Sequence, residues 1–340
     1  MKRVAVVGTT GWGTTIGIML ARSGLEVILL ARTEREASRL NSDRENKAHL
    51  PSVPFPENLK VTALPQEALD GADLTILGVP AQTMRANLSA IKKNLWKETF
   101  LLSLAKGIEI ETTKRMSEVI TESLSSGFAG RIAVLSGPNF AKEVNKGLPT
   151  ATVIASSDVE VARTIQRVIS SPNFRAYVSD DIVGVELGGA LKNVVALSVG
   201  MSDGLGYGDN TRAAVITRGL AEITRLGVAA GANPLTFAGL AGMGDLVATC
   251  TSQLSRNRFV GQELARGHQL EEILSSMSGI AEGVKTTVAA LSLARKLDVE
   301  MPIAEQVYKV LFEGREVRQA VPALMERELK HELNIGLSGQ

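Results

Sequence analysis

Short apolar runs rich in β-branched residues alternate with amphipathic stretches through the first half of the chain. Val4–Val7, Val27–Leu30, Leu74–Val79, Phe100–Leu104, Ile132–Leu135 and Thr152–Ala155 each read as a strand. Runs this apolar, with no polar alternation, suit strands buried on both faces, as in a parallel sheet covered by helices. Helical patterns such as Met84–Asn94 and Thr113–Leu124 fall between them, so strand and helix repeat as in a doubly wound sheet. A further extended run, Phe174–Val178, is placed to close the sheet. After Asp180 the character changes. From Ile182 to Glu328 no alternating strand stands out, and helical segments broken by glycine follow one another: Val183–Met201, Arg212–Leu226 and Val284–Leu297.

At 340 residues the chain is long enough for two domains. Its 44% hydrophobic and 21% charged residues are those of an ordinary globular protein. A net charge of +1, with both signs mixed along the chain, gives no reason to expect a nucleic acid partner. The single cysteine, Cys250, offers no internal disulfide and reads as a buried small hydrophobe, so a reducing compartment, the cytoplasm, is expected. Glycines and threonines interrupt the N-terminal apolar stretch, which therefore lacks the unbroken core of a secretory signal. No run of about 20 apolar residues stands out, so no membrane span is expected.

The first strand runs into Gly8-Thr9-Thr10-Gly11-Trp12-Gly13. In a dinucleotide-binding turn, three glycines allow a tight turn, close approach to pyrophosphate, and close packing of helix on strand. Gly8 and Gly13 hold the first and third places, Thr10 the middle one, and Gly11 follows it. A Cβ thus stands where the backbone meets the pyrophosphate, and Gly11 is placed to relieve it. The turn opens a helix, whose N-terminus favours anions. The fold class is therefore read as α/β: a doubly wound, mainly parallel Rossmann sheet, then an all-helical C-terminal domain. The expected domains are 1–185, binding NAD(P), and 186–340, binding substrate and carrying catalysis. At the end of the second strand, Arg32 and Thr33 favour a 2′-phosphate and hence NADPH. Glu34 nearby keeps NADH open, and an exposed arginine at a strand end would look the same.

Three glycine-flanked clusters carry candidate chemistry. Lys106 follows the Phe100–Leu104 strand, where an open α/β sheet binds its ligands. Ser136-Gly137-Pro138-Asn139-Phe140-Ala141 is another strand-to-helix turn, whose amides suit a phosphate or serve only as a cap. Lys192, in Gly188-Gly189-Ala190-Leu191-Lys192-Asn193, sits in an apolar helix where an amine needs a partner or a ligand. Ketone reduction needs a proton on the developing alkoxide, which Lys192 suits. Asp245, in Gly242-Met243-Gly244-Asp245, and Ser255-Arg256-Asn257-Arg258 add a carboxylate and phosphate-reading donors. His49, His268 and His331 are scattered, and no metal site is expected.

The chain resembles bacterial-type NAD(P)-dependent glycerol-3-phosphate dehydrogenase over essentially its whole length. GTTGWGTT, LPSVPFPENL, LAKGIE, LSGPNFAKEV, IVGVELGGALKNVVAL, GMGDLVATCTSQLSRNR and EGVKTT followed by MPI carry the likeness. The resemblance implies reversible reduction of dihydroxyacetone phosphate to sn-glycerol 3-phosphate, supplying phospholipid synthesis. To the cofactor candidates Gly8, Thr10, Gly13 and Thr33 read from the turn and the strand end, it adds cofactor contacts at Gly11, Trp12, Arg32, Lys106, Ala141, Arg256 and Glu282, with Ile280 beside the cofactor. Substrate contacts fall to Lys106, Gly137, Asn139, Lys192, Asp245, Ser255, Arg256 and Asn257, with Lys192, Lys106 and Asp245 catalytic. The family commonly has glycine where Thr10 stands, and often Thr or Ser in place of Asn139. A homodimer is the expected assembly. Two other readings use the same turn: a hydroxyacid or pantoate-type dehydrogenase, and a redox-sensing module that binds NAD(P)H without catalysis.

Overall fold

The computed structural model describes residues 1–277, 279–326 and 328. His331 and the end of the second expected domain lie outside them. Eight strands form one sheet: β1 (Arg3–Val7), β2 (Glu26–Leu30), β3 (Leu59–Thr62), β4 (Leu74–Leu77), β5 (Phe100–Ser103), β6 (Ile132–Ser136), β7 (Thr150–Ala155) and β8 (Phe174–Ser179). Their order is β3-β2-β1-β4-β5-β6-β7-β8, parallel throughout except where β6 meets β7. Successive residues face opposite ways. Val4, Val6, Leu29 and Ile76 enter one core, and Ala5, Val7, Ile28 and Leu77 enter the other. Both faces of the central strands β1, β2, β4, β5 and β6 are covered, so these need no polar side, whereas the edge strand β8 alternates and leaves Arg175 and Tyr177 exposed.

The sequence reading found seven of these strands and missed β3. Leu59-Lys60-Val61-Thr62 is no shorter than β4 or β5, but it carries an exposed lysine and lies at the sheet edge, so it lacks the uniform apolarity that marks the central strands.

By internal packing the chain divides into two compact units: Met1–Lys106 with Arg115–Ile182, and Gly107–Lys114 with Val183–Gln340. The excursion Gly107–Lys114 differs from a single cut at 185/186. Ile108 explains it, because its fully buried side chain belongs to the core of the second unit. Among the described residues that unit contains helices and turns but no named strand. Its longest helix among the described residues, Ile182–Gly204, is an apolar segment of spanning length that the sequence reading did not single out. It is long and apolar enough to cross a membrane, yet 83% of its most apolar stretch is buried inside the protein.

Some glycines of this unit separate its helices as expected, Gly206, Gly231, Gly267 and Gly314 lying just past helix ends with positive φ, but several others lie inside the helices. A Cβ on Gly200 would stand 2.0 Å from the Arg258 carbonyl oxygen, and one on Gly261 would stand 2.1 Å from that of Leu197. Helices Ile182–Gly204 and Arg256–Ala265 therefore cross at backbone contact, which only glycine permits.

Glu222, on the helix Asp209–Ala229, is buried. It accepts the amides of Ile303 (2.7 Å) and Ala304 (3.4 Å), first-turn donors of the helix Pro302–Phe312 that have no intrahelical partner. Burial raises its carboxyl to about 7, against 4.5 for the ordinary group, despite the lowering effect of those two amides. The folded chain thus holds a proton that the unfolded chain has lost between these values. The stabilisation is complete below about 4.5 and is lost as pH rises through about 7. Glu222→Gln keeps an acceptor for Ile303 and removes the titration. Chemical denaturation at pH 5 and pH 8 should show its stability relative to the wild type rising by on the order of 3 kcal/mol at the higher pH. A constant difference across that range would refute the assignment.

Candidate active site

The first unit gathers its candidates at the carboxyl ends of the parallel strands. The strand order reverses between β1 and β4, the switch point where such sheets bind ligands. Gly8 follows β1 with φ +97°, a conformation that glycine adopts without strain, and a Cβ there would meet Val79 Cγ1 at 2.9 Å. A Cβ on Gly78 would stand 3.0 Å from Gly13 Cα. The third glycine of the turn thus needs a fourth, Gly78 after β4, which the sequence reading missed.

Thr10 has a structural reason to replace glycine. It caps the helix Gly11–Arg22: its Oγ1 accepts from the Gly13 amide (3.2 Å) and donates to the Gly78 carbonyl (2.7 Å). Gly11 has a different role from the one expected. A Cβ on it would point at the His49 carbonyl (3.3 Å), so its lack of a side chain makes room for that backbone. Trp12 packs against Phe174, and its buried Nε1 has no hydrogen-bond partner.

Arg32 is exposed, and its side chain makes no hydrogen bond among the described residues. Thr33 caps the helix Glu34–Asp43 by accepting the Glu36 amide. Lys106 Nζ donates to the Gly137 carbonyl (2.7 Å), joining the ends of β5 and β6. Asn139 Nδ2 donates to Thr152 Oγ1 (2.9 Å), while its buried Oδ1 has no partner. Ala141 opens a helix of five residues, Ala141–Asn145, with no side chain capping it. These residues fit a dinucleotide. Gly8 and Gly13 leave no room for side chains at their positions, the turn opens a helix N-terminus, and two buried polar atoms, Trp12 Nε1 and Asn139 Oδ1, have no hydrogen-bond partner among the described residues.

The second unit gathers the rest. Lys192 is buried, and its Nζ donates to Asp245 Oδ1 and to Thr249 Oγ1 (2.8 Å). The apolar helix therefore does give its amine partners. Gly188, one turn earlier, makes this possible. A Cβ there would lie 2.7 Å from the Ala241 carbonyl oxygen, so only glycine lets the π-helical turn Leu240–Gly244 approach and deliver Asp245. Thr249, one turn beyond Asp245, went unnoticed in the sequence because threonine in a helix carries no signal.

Ser255 is buried and caps the helix Arg256–Ala265, accepting the Arg258 amide (3.2 Å). The Asn257 amide group serves the framework: Nδ2 donates to Asn193 Oδ1 (2.8 Å), and Oδ1 accepts the Gly283 amide (3.0 Å). The Arg256 side chain makes no hydrogen bond among the described residues. Desolvation holds its pKa below the ordinary arginine value, and the Glu282 carboxylate acts the other way. Gly279 lies against it: a Cβ there would stand 2.1 Å from Nη1. Ile280 is half-exposed, and Glu282 begins the helix Glu282–Lys296. Cys250 is buried, and desolvation pushes its thiol up to about 12, which leaves it inert as a nucleophile.

A dinucleotide turn on a doubly wound sheet, with a buried lysine–carboxylate pair in a helical unit, defines a two-unit nicotinamide-dependent dehydrogenase. The comparisons give the family. NAD-dependent glycerol-3-phosphate dehydrogenase N-terminus matches residues 3–162, and NAD-dependent glycerol-3-phosphate dehydrogenase C-terminus matches residues 181–322. A relative from Dehalococcoides mccartyi named NAD(P)+ glycerol-3-phosphate dehydrogenase is 50% identical over 98% of this chain and 93% of its own length. One of the same name from Syntrophotalea carbinolica is 51% identical over 97% of this chain and 99% of its own. The crystal structure of glycerol-3-phosphate dehydrogenase from Coxiella burnetii is 35% identical, with a TM-score of 0.91 over 96% of this chain and 99% of that one. The chain belongs to the NAD-dependent glycerol-3-phosphate dehydrogenase family.

Proposed function

We propose that this chain reduces dihydroxyacetone phosphate to sn-glycerol 3-phosphate with NADPH or NADH, and runs the reverse oxidation. The observation that carries the chemistry is the buried Lys192–Asp245 pair with Thr249 beside it. When bound at the glycine turn, the cofactor supplies the hydride that reaches the carbonyl carbon. The carbonyl oxygen then gathers charge, and Lys192 Nζ gives it a proton, the last atom needed for the alcohol. Asp245 and Thr249 hold the amine and fix its direction. Arg256 takes the substrate phosphate, because a guanidinium with no hydrogen bond among the described residues matches a phosphate with its rigid fork of donors. Lys106, beyond β5, supports the oxygen as charge develops. In the reverse direction Lys192 accepts the proton.

Phosphate recognition separates this reading from a carboxylate-reading dehydrogenase. Glycerol 2-phosphate should compete with dihydroxyacetone phosphate, whereas a pantoate-type carboxylate should neither compete nor react. The opposite pattern would remove the assignment. A sensor that merely binds cofactor would consume none. We place the enzyme in the cytoplasm as a homodimer.

Arg32 points to cofactor choice. Arg32→Asp puts a repelling charge where the 2′-phosphate is read, so NADPH affinity should fall much more than NADH affinity in direct titrations. Equal losses would reject Arg32 as the phosphate reader.

A further inference from the structure

A second charged group stands at the same strand end, unused by the chemistry above. Glu36 Oε1 accepts the Thr9 hydroxyl (2.6 Å), and Oε2 accepts the Arg32 amide (3.2 Å). Its own amide donates to Thr33 Oγ1 (3.2 Å). Thr9 follows the first glycine of the turn, and Arg32 lies just beyond β2. One carboxylate therefore ties the glycine turn to the end of the second strand. That junction is where dinucleotide folds read the adenosine ribose, commonly with an acidic residue about 20 positions past the glycines.

Glu34, the acid singled out in the sequence, stands apart: it is exposed, and its carboxylate is 3.4 Å from Ser38 Oγ. Glu36 is half-buried and held from two sides, so its charge cannot swing away into solvent. A carboxylate has about four acceptor positions, and two protein bonds leave room for a ribose hydroxyl. Arg32 offers the opposite charge on an exposed side chain with no hydrogen bond among the described residues. The strand end thus presents a fixed anion and a movable cation.

Resting on the reading that the cofactor binds at this turn, we infer that Glu36 sets the choice between NADH and NADPH. Its carboxylate accepts from a free 2′-hydroxyl and opposes a 2′-phosphate, against the pull of Arg32. Neither group alone decides, which leaves both cofactors usable.

The test is the dissociation constant of each cofactor, measured by titration of the purified chain and followed by quenching of tryptophan fluorescence. Glu36→Gln removes the charge and keeps one acceptor. The ratio of the NADPH constant to the NADH constant should fall about tenfold, as expected from removing a like charge beside a phosphate. Glu34→Gln should leave the ratio unchanged. Thr9→Val deletes the tether and keeps the charge, so it separates positioning from electrostatics and should move the ratio far less. If Glu36→Gln weakens both cofactors equally while Arg32→Asp remains selective, Glu36 only braces the turn and the inference is wrong. If neither Arg32→Asp nor Glu36→Gln alters either constant, the cofactor does not lie at this strand end and both readings fall.

Discussion

Lys192→Met should lower kcat for dihydroxyacetone phosphate by about 10²- to 10⁴-fold, the usual worth of a general acid. Methionine keeps the aliphatic stem and deletes the amine, so the alkoxide formed by hydride arrival meets no proton donor. The structure adds a second consequence. Asp245 is 2% exposed, and its ion pair with Lys192 leaves a buried carboxylate without a cation in the variant. Breaking such a pair typically destabilises a protein by about 3–5 kcal/mol. Low activity in Lys192→Met alone would therefore be ambiguous. Adding Asp245→Asn removes the uncompensated charge, and the double variant should recover stability without recovering turnover. Lys192→Arg should not rescue either, because a planar guanidinium differs in shape and holds its proton. Near-normal kcat in the refolded double variant would shift the proton donor to Lys106.

Arg256→Ala should raise KM for dihydroxyacetone phosphate by about 10- to 100-fold, the range for losing hydrogen bonds between charged groups. With unphosphorylated dihydroxyacetone the same change should matter little, since the group being read is missing. The variant should fold normally, because the Arg256 side chain makes no hydrogen bond among the described residues that its loss would leave unmet. Equal losses of kcat/KM with both substrates would mean that Arg256 does not read phosphate.

Much of this was legible in the sequence where the signal is local. Strands buried on both faces are uniformly apolar, so the runs around β1, β2 and β4 to β6 could be placed directly, while β7 and β8, less buried, stand out by their β-branched and aromatic residues. Lys192 could be singled out because an amine in an apolar helix demands a partner. The partner's identity was another matter. Asp245 is 53 positions away, and the pair forms because Gly188 admits the turn that carries it, a fact about backbone clearance that no local pattern encodes. Gly78 and Glu36 went unnoticed for the same reason: one meets Gly13 and the other Thr9 only after the sheet has formed. Asn257 shows what else local patterns hide: beyond its place beside Arg256, its amide bridges Asn193 and Gly283, partners far away in the chain.

The central claim is that the dinucleotide turn and the Lys192 pair together perform one reduction on a phosphorylated ketone. It is tested most directly by giving the purified chain NADPH or NADH with dihydroxyacetone phosphate, then following cofactor oxidation and product by phosphorus NMR. The account predicts one equivalent of sn-glycerol 3-phosphate for each reduced cofactor consumed, with loss of both signals in the Lys192→Met/Asp245→Asn variant. Cofactor binding without any turnover of dihydroxyacetone phosphate, or turnover of a carboxylate ketone in its place, would contradict it.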